Sequence, residues 1–191
     1  MLIKPEDSLK NVFQDIKHEL NRGVLDKKHP FRFLILSSQG IEGVESRYVV
    51  LRKVKEDLTL TVFADYRTTK IQHIKTNPKV ALLFYHPVKR IQIRIQAEVI
   101  VHFNNEVTED FWQNVQGEGR KAYHSKLAPG KEIDNPNQGH DWHENMTGQG
   151  YFCVLELKPV EIEALQLNGL EHLRAKFDFL EGSWIGKWLV P

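Results

Sequence analysis

The sequence predicts a mainly β fold, a β-barrel with peripheral helices. Short runs rich in β-branched and aromatic residues follow one another between turn signals, and one of them, residues 90–101, alternates apolar and polar strictly. Helical spacing is confined to a few short stretches, and many strands with few helices is the pattern of a barrel. No Pro- or Gly-rich linker divides the 191 residues, so one domain over 1–191 is expected.

The first element is a predicted helix. Leu9, Val12, Phe13, Ile16 and Leu20 form an apolar stripe, Ser8 stands at the N-cap, and Gly23 stands where a helix-ending glycine is expected. Strands are then predicted at 31–36, 44–54 and 58–63, with Ser38, Gly40 and Gly43 marking a turn. Residues 68–78 read as a short helix capped by Thr68 and ended by Asn77–Pro78. Residues 79–85 are nearly all apolar, which predicts burial on both faces or at a tight interface. In 90–101, Ile91, Ile93, Ile95, Ala97 and Val99 share one face, and Arg90, Gln92, Arg94, Gln96 and Glu98 the other. Residues 105–125 read as a helix interrupted by Gly117 and Gly119, and 126–150 as a long polar loop. Strands resume at 151–158, 160–167, 175–179 and 184–190.

Charge and composition exclude several classes. With 26 Lys and Arg against 25 Asp and Glu, there is no long-range field suited to nucleic acid or an anionic membrane surface. An anionic ligand must be held by a local cluster of cations. The single cysteine, Cys153, excludes an internal disulfide, and a cytoplasmic setting is expected. The charged start MLIKPEDSLK does not read as a signal peptide, and no apolar run approaches the roughly 20 residues of a membrane span.

Such a cluster exists. Arg47 and Arg52 lie on one predicted strand, Gln92 and Arg94 on another, and Arg67, Thr68, Thr69 and Lys70 at a predicted helix start. A helix N-terminus offers unbonded N–H groups and a positive dipole end, which suit a phosphate, and a nearby Arg can add a forked grip. Taken singly, each of these residues also reads as a solvated strand charge or a plain cap. The cluster points to a phosphate site without a Gly-rich loop and does not name the ligand.

The stretch SRYVVLRKV, then LTLTVFADYRTTKIQHIKTNPKVALLFYHPVKRIQIRIQAEV, resembles the core of the pyridoxamine 5′-phosphate oxidase family over residues 30–103. The matching pieces are an Arg-x-Val-x-Leu-Lys/Arg strand, a helix start ending in Lys, an Asn-Pro pair and a Gln-x-Arg-Ile strand. The ending WIGKWLVP is similar to that of the family. The resemblance implies an FMN-binding split barrel, with FMN at a homodimer interface. It implies that Arg47 and Lys70 hold the phosphate, and that Val49, Val50, Leu51, Arg52, Phe63 and Ala64 lie along the flavin. It further implies cofactor contacts from Thr69, Gln92, Lys176 and Trp184, with Thr69 standing where the oxidase has an Arg. A substrate would be met by Arg120, Tyr123, Ser125, His172 and Arg174. The family's Arg-x-His pair is reversed here to His172-x-Arg174, and its upstream Trp is Leu165.

On a regular strand Arg47 and Arg52 point to opposite faces, so both can serve one ligand only through a bulge or across two subunits. His140 and His143, beside Asp141 and Glu144, have metal-ligand chemistry but sit in a polar loop without helical spacing, which reads as solvated. Cys153 reads as a small core residue, and Trp112, Trp142 and Trp188 as core or interface anchors. The expected function is an FMN-dependent oxidoreductase, with hydride transfer from a small substrate to flavin N5. Two alternatives stay open: a flavin-binding module without turnover, and the same fold holding haem or another flavin-like cofactor.

Overall fold

Alternating strands can bury one face only by closing on themselves or on a second layer. The computed structural model, which describes residues 1–144 and 147–191, shows closure. Its strands are β1 (Phe33–Gln39), β2 (Val44–Val54), β3 (Leu60–Asp65), β4 (Lys79–His86), β5 (Ile91–Phe103), β6 (Phe152–Gln166), β7 (Leu173–Leu180) and β8 (Ser183–Leu189). They run in the order β3-β2-β1-β4-β5-β6, all antiparallel, and β6 pairs back onto β3. Six strands thus form a barrel, and β7 and β8 extend the sheet from β6. The predicted inner face of β5 is inside: Ile91, Ile93, Ile95, Ala97 and Val99 are all buried.

β6 departs from expectation. Residues 151–158 and 160–167 were expected as two strands parted by Pro159, but one strand of 15 residues runs through. Opposite β5, Gln96 pairs with Glu161 and Ala97 with Pro159, leaving Val160 as the extra residue of a bulge. A bulge accommodates a residue without an N–H while the strand continues. The first half of β6 pairs with β3, and the second half turns away to pair with β7.

Three strand starts also shift by two residues, and one of them is β7, which begins at Leu173 rather than 175. Pro30–Arg32 form a 3₁₀ turn capped by His29, so β1 begins at Phe33. Leu58 has a positive φ of 68° in the turn before β3, which begins at Leu60. β4 is buried on one face only: Val80, Leu82 and Phe84 point inward, while Ala81, Leu83 and Tyr85 lie on the outer face. There Tyr85 is 48% exposed, Phe33 52% and Tyr48 73%, which makes a continuous apolar outer patch across β2, β1 and β4.

Helix α1 (Leu9–Leu25) covers the open end between β2, β7 and β8. Val12, Ile16 and Leu20 are fully buried, and Phe13 packs on Phe177 and Trp184. Ser8 caps it as expected, its hydroxyl accepting from the Asn11 N–H at 3.2 Å. Gly23 does not end the helix, which runs two residues further. A Cβ at Gly23 would stand 2.7 Å from the Phe31 carbonyl oxygen, so the glycine permits close backbone approach rather than termination.

Helix α2 (Thr69–Thr76) follows β3. Helices α3 (Glu106–Trp112) and α4 (Glu118–Lys121) are separated as the glycines predict, with Gly117 at φ 57°. Most of 126–150 has no regular structure apart from a 3₁₀ turn at Pro136–Gly139, and residues 145 and 146 of this expected loop lie outside the described residues. Among the described residues no helix is long and apolar enough to cross a membrane.

Candidate functional site

The start of α2 is fixed by its neighbours. Thr68 occupies the N-cap position but does not cap: its hydroxyl donates to the Asp65 carbonyl at 2.7 Å and accepts from Lys70 Nζ at 3.0 Å. No side chain therefore bonds the first N–H groups of α2. Arg47, on β2, donates to the Leu36 carbonyl, to the buried Ser38 hydroxyl at 2.7 Å, and to the Glu45 carbonyl. Its second terminal nitrogen meets the Glu45 carboxylate at 2.9 Å. Burial, and then the charge of Arg47, hold the Lys70 ammonium below its usual range. Lys70 forms no ion pair among the described residues. Thr69 is exposed beside it.

Arg67 belongs to the scaffold. It grips Asp65 through two nitrogens at 3.1 and 2.7 Å, donates to the Ser125 carbonyl and hydroxyl at 2.9 Å each, and covers the Tyr151 ring at 3.5 Å. Of the expected substrate residues, Ser125 is thus engaged by Arg67, and Arg120 donates to the Val115 carbonyl and lies over Trp112. His172 Nδ1 accepts from the Asn168 N–H at 3.0 Å, inside a turn.

A second group lies on the outer sheet face. Gln92 and Arg94 of β5, Glu163 and Leu165 of β6, and Arg174 and Lys176 of β7 stand in register there. Glu163 receives Arg94 at 2.8 Å and Arg174 at 2.9 Å, and Lys176 is paired with Glu161 and Asp178. The Nε atoms of Arg94 and Arg174 are buried without partners, so this face retains donors to be satisfied. Trp184 points away from it and packs between Phe13 and Phe179 on the α1 side. Val49, Leu51 and Ala64 are inside the barrel, so their side chains cannot line an outer-face ligand; Val50 is half-buried on the outer side.

Arg52 sits in a bulge, because Leu51 pairs with Val62 but Lys53 with Thr61. The bulge does not bring it to Arg47. Instead its guanidinium lies 5.1 Å from the Phe63 ring centroid, beside a cavity of about 170 Å³ lined also by Asn114, Gln116, Gly119 and Tyr123. Burial pushes the Tyr123 hydroxyl up. The larger open hollow along residues 126–141 shares no residue with any of these groups.

The groups are far apart within one protomer. Arg47 pairs with Leu36, Leu36 with Leu82, and Leu82 with Ile95. Three strand spacings, roughly 14 Å, separate β2 from β5, with Gln92 three residues further along and on the opposite face. The sequence cluster is therefore split into two groups within one protomer, each with part of the expected residues. Sequence reasoning missed Ser38, Glu45 and Glu163, which anchor or neutralise the expected cations; only the alternation that sets their faces could have pointed to them.

Comparison with known proteins follows the geometry. Residues 11–103 match the family described as pyridoxamine 5′-phosphate oxidase, FMN-binding domain. A pyridoxine/pyridoxamine 5′-phosphate oxidase of Chromobacterium violaceum is 30% identical over 96 residues, 50% of this chain and 45% of that protein, so the match spans less than half of the relative. Among solved structures, a pyridoxamine 5′-phosphate oxidase-related, FMN-binding protein of Nostoc punctiforme superposes with TM-score 0.76 at 21% identity, over 100% of both chains. PhzG of Burkholderia lata, in complex with tetrahydrophenazine-1-carboxylic acid, gives TM-score 0.75 at 14% identity over 94% of this chain and 92% of that one. At these identities the two structures establish the fold.

One further constellation has metal-ligand chemistry. Glu19, His29 and His86 are buried with their ligand atoms within 4.8 Å of one another. His140 and His143, by contrast, are exposed, and His140 stacks on Trp142. The buried trio is wired as a latch. His29 Nδ1 accepts from the Phe31 N–H at 3.1 Å and His86 Nδ1 from the Lys89 N–H at 3.2 Å, so both rings carry their proton on Nε2, where a metal would have to bind. Glu19 is already met by Arg22, His29 and Lys89; burial alone would raise it, but these partners hold it below the usual carboxylate range. Burial pushes both imidazoles down, in His29 against the pull of Glu19. Folded rings then bind fewer protons than unfolded ones, so stability is complete at neutral pH and falls as pH drops below about 6.5. Urea unfolding at pH 7.5 and 5.5 checks this: the acid loss should shrink in His86→Gln, and an unchanged loss would refute the latch.

Proposed function

We propose that this chain, whose residues 11–103 match the FMN-binding domain of the pyridoxamine 5′-phosphate oxidase family and which is built on a split barrel, is an FMN-dependent oxidoreductase acting on a small substrate. The observation that carries this is the uncapped start of α2, where Lys70 lies within reach of the charge of Arg47 and has no carboxylate partner among the described residues. Two cations and unbonded helix N–H groups match the donor set a phosphate monoester requires. Arg47 and Lys70 would hold the FMN phosphate, with Thr69 beside it. Gln92 and the outer face around Arg94 and Lys176 would meet the ring system. When bound, FMN supplies an electron-pair acceptor at N5. The protein's residues bind, orient and exclude water, and no nucleophile is needed. The lone buried Cys153, whose thiol burial pushes up to about 12, takes no part in this reading. It suits a reducing, cytoplasmic setting.

The released cofactor should be FMN by visible spectrum and mass. Lys70→Ala should lose one charged hydrogen bond of about 1.5–3 kcal/mol, a 10- to 100-fold weaker FMN Kd, while riboflavin binding changes little. Equal losses for the two flavins would remove Lys70 from the phosphate.

The half-sites support a homodimer. The outer patch of Phe33, Tyr48 and Tyr85 is apolar and exposed, and it adjoins the outer-face half-site. A second copy on that patch would bring its Arg47 and Lys70 toward this chain's Gln92. Light scattering should find dimers at micromolar concentration, and dilution should release FMN by mass action. A holo-protein that stays monomeric would contradict the joint seat.

Substrate differs from the named oxidases. Arg174 is committed to Glu163 and His172 to its own turn, whereas Arg52 and Tyr123 flank a small cavity. The reversed pair sets a guanidinium where the oxidases have an imidazole, so the hydrogen-bond pattern offered to a substrate differs. FMN-loaded protein should therefore form pyridoxal 5′-phosphate from pyridoxamine 5′-phosphate far below the enzyme median of roughly 10 per second. Turnover at that rate would show the reversed pair to be harmless.

A further inference from the structure

Glu45 is unusual in its placement. One terminal nitrogen of Arg47 makes three contacts, to the Leu36 carbonyl at 3.3 Å, the Ser38 hydroxyl at 2.7 Å and the Glu45 carbonyl at 3.0 Å. Its one ionised partner is the Glu45 carboxylate, 2.9 Å from the other terminal nitrogen. The second oxygen of Glu45 stands 3.8 Å from His73 Nε2 on α2, so the carboxylate spans the opening between β2 and α2. His73 is 8% exposed, and its Nδ1 has no partner. Gly40 lies against the ring, where a Cβ would stand 2.9 Å from Cε1, so the ring is held in place. The Glu45 side chain itself is 53% exposed. The local charges are Arg47, Lys70 and Glu45, with Asp65, already gripped by Arg67, also acting on Lys70.

We propose that Glu45 is an internal stand-in for the cofactor's phosphate: it occupies Arg47 when no phosphate is present and opposes the phosphate when one arrives. This rests on the FMN reading above and adds a residue that sets affinity and eases release. A carboxylate and a phosphate compete for one guanidinium, and if both remain they repel at short range. The phosphate must displace Glu45 or bind beside a like charge, and either lowers affinity. A phosphate-free flavin makes no such demand.

The test is flavin fluorescence titration of the full-length chain with FMN and with riboflavin, for wild type, Glu45→Gln, Arg47→Ala and the double variant. Glu45→Gln should tighten FMN binding about 5- to 20-fold and leave riboflavin unchanged, since the charged competitor for Arg47 and the like charge beside the phosphate are removed together. In the Arg47→Ala background the gain from the same substitution should be smaller, because competition for the guanidinium is gone and only the like-charge repulsion remains. If wild type prefers FMN over riboflavin and Glu45→Gln leaves or weakens that preference, the stand-in role is overturned and the FMN reading survives. If wild type binds both flavins equally, the phosphate seat itself fails, and this proposal with it. Circular dichroism of each variant excludes misfolding as the cause.

Discussion

One strand has to belong to two sheets. β6 closes the barrel on β3 with its first half and carries β7 with its second, while β5 follows it throughout. The closing pairs, Ala64 with Cys153 and Asp65 with Phe152, lie at the very end of β3, and the Tyr66 N–H bonds the Tyr151 carbonyl just beyond. The position from which α2 departs is thereby set by the start of β6, nearly ninety residues later. Lys70 reaches the side of Arg47 only because that closure is made. Backbone hydrogen bonds that would otherwise be orphaned at a barrel seam are satisfied in the same step.

The barrel was legible because its strands obey a period of two with one face buried. β5 is the clearest case, and its inner row is buried to the last residue. Pro159 misled because a proline usually ends a central strand; the bulge at Val160, which depends on a partner more than sixty residues away, cannot be seen locally. Gly23 misled for a related reason. A glycine near a helix end has two uses, termination and close approach, and only the position of Phe31 decides between them. Residues 79–85 were read correctly as apolar, but the outer face of that strand is partly exposed in the protomer, so burial on both faces is not found within one chain.

The candidate site was legible in its cations and not in its anions. Arg47 and Lys70 stood out because a basic residue beside a helix start has a specific use. Glu45, Glu161 and Glu163 had no such signal, although they determine which cations remain available. Arg94 and Arg174 are both neutralised by Glu163, across separations of 69 and 11 residues. Ion pairing across strands is a matter of register, and register is a tertiary property. The parity conflict between Arg47 and Arg52 was real. A bulge is present, yet it serves Arg52 and Phe63 instead of reuniting the two arginines.

Arg67 has a mechanical consequence. It bonds Asp65 at the end of β3 and Ser125 two residues after Tyr123, and it covers Tyr151 at the entry to β6. The first turn of α2 and the segment that walls the Arg52 cavity therefore cannot open independently; one side chain clamps both. Such segments form a single cooperative unit of local unfolding, with amides that exchange at a common rate. Ordering of the first turn of α2 would slow fluctuations at the cavity wall without any displacement of its mean position, and the coupling would be entropic in origin.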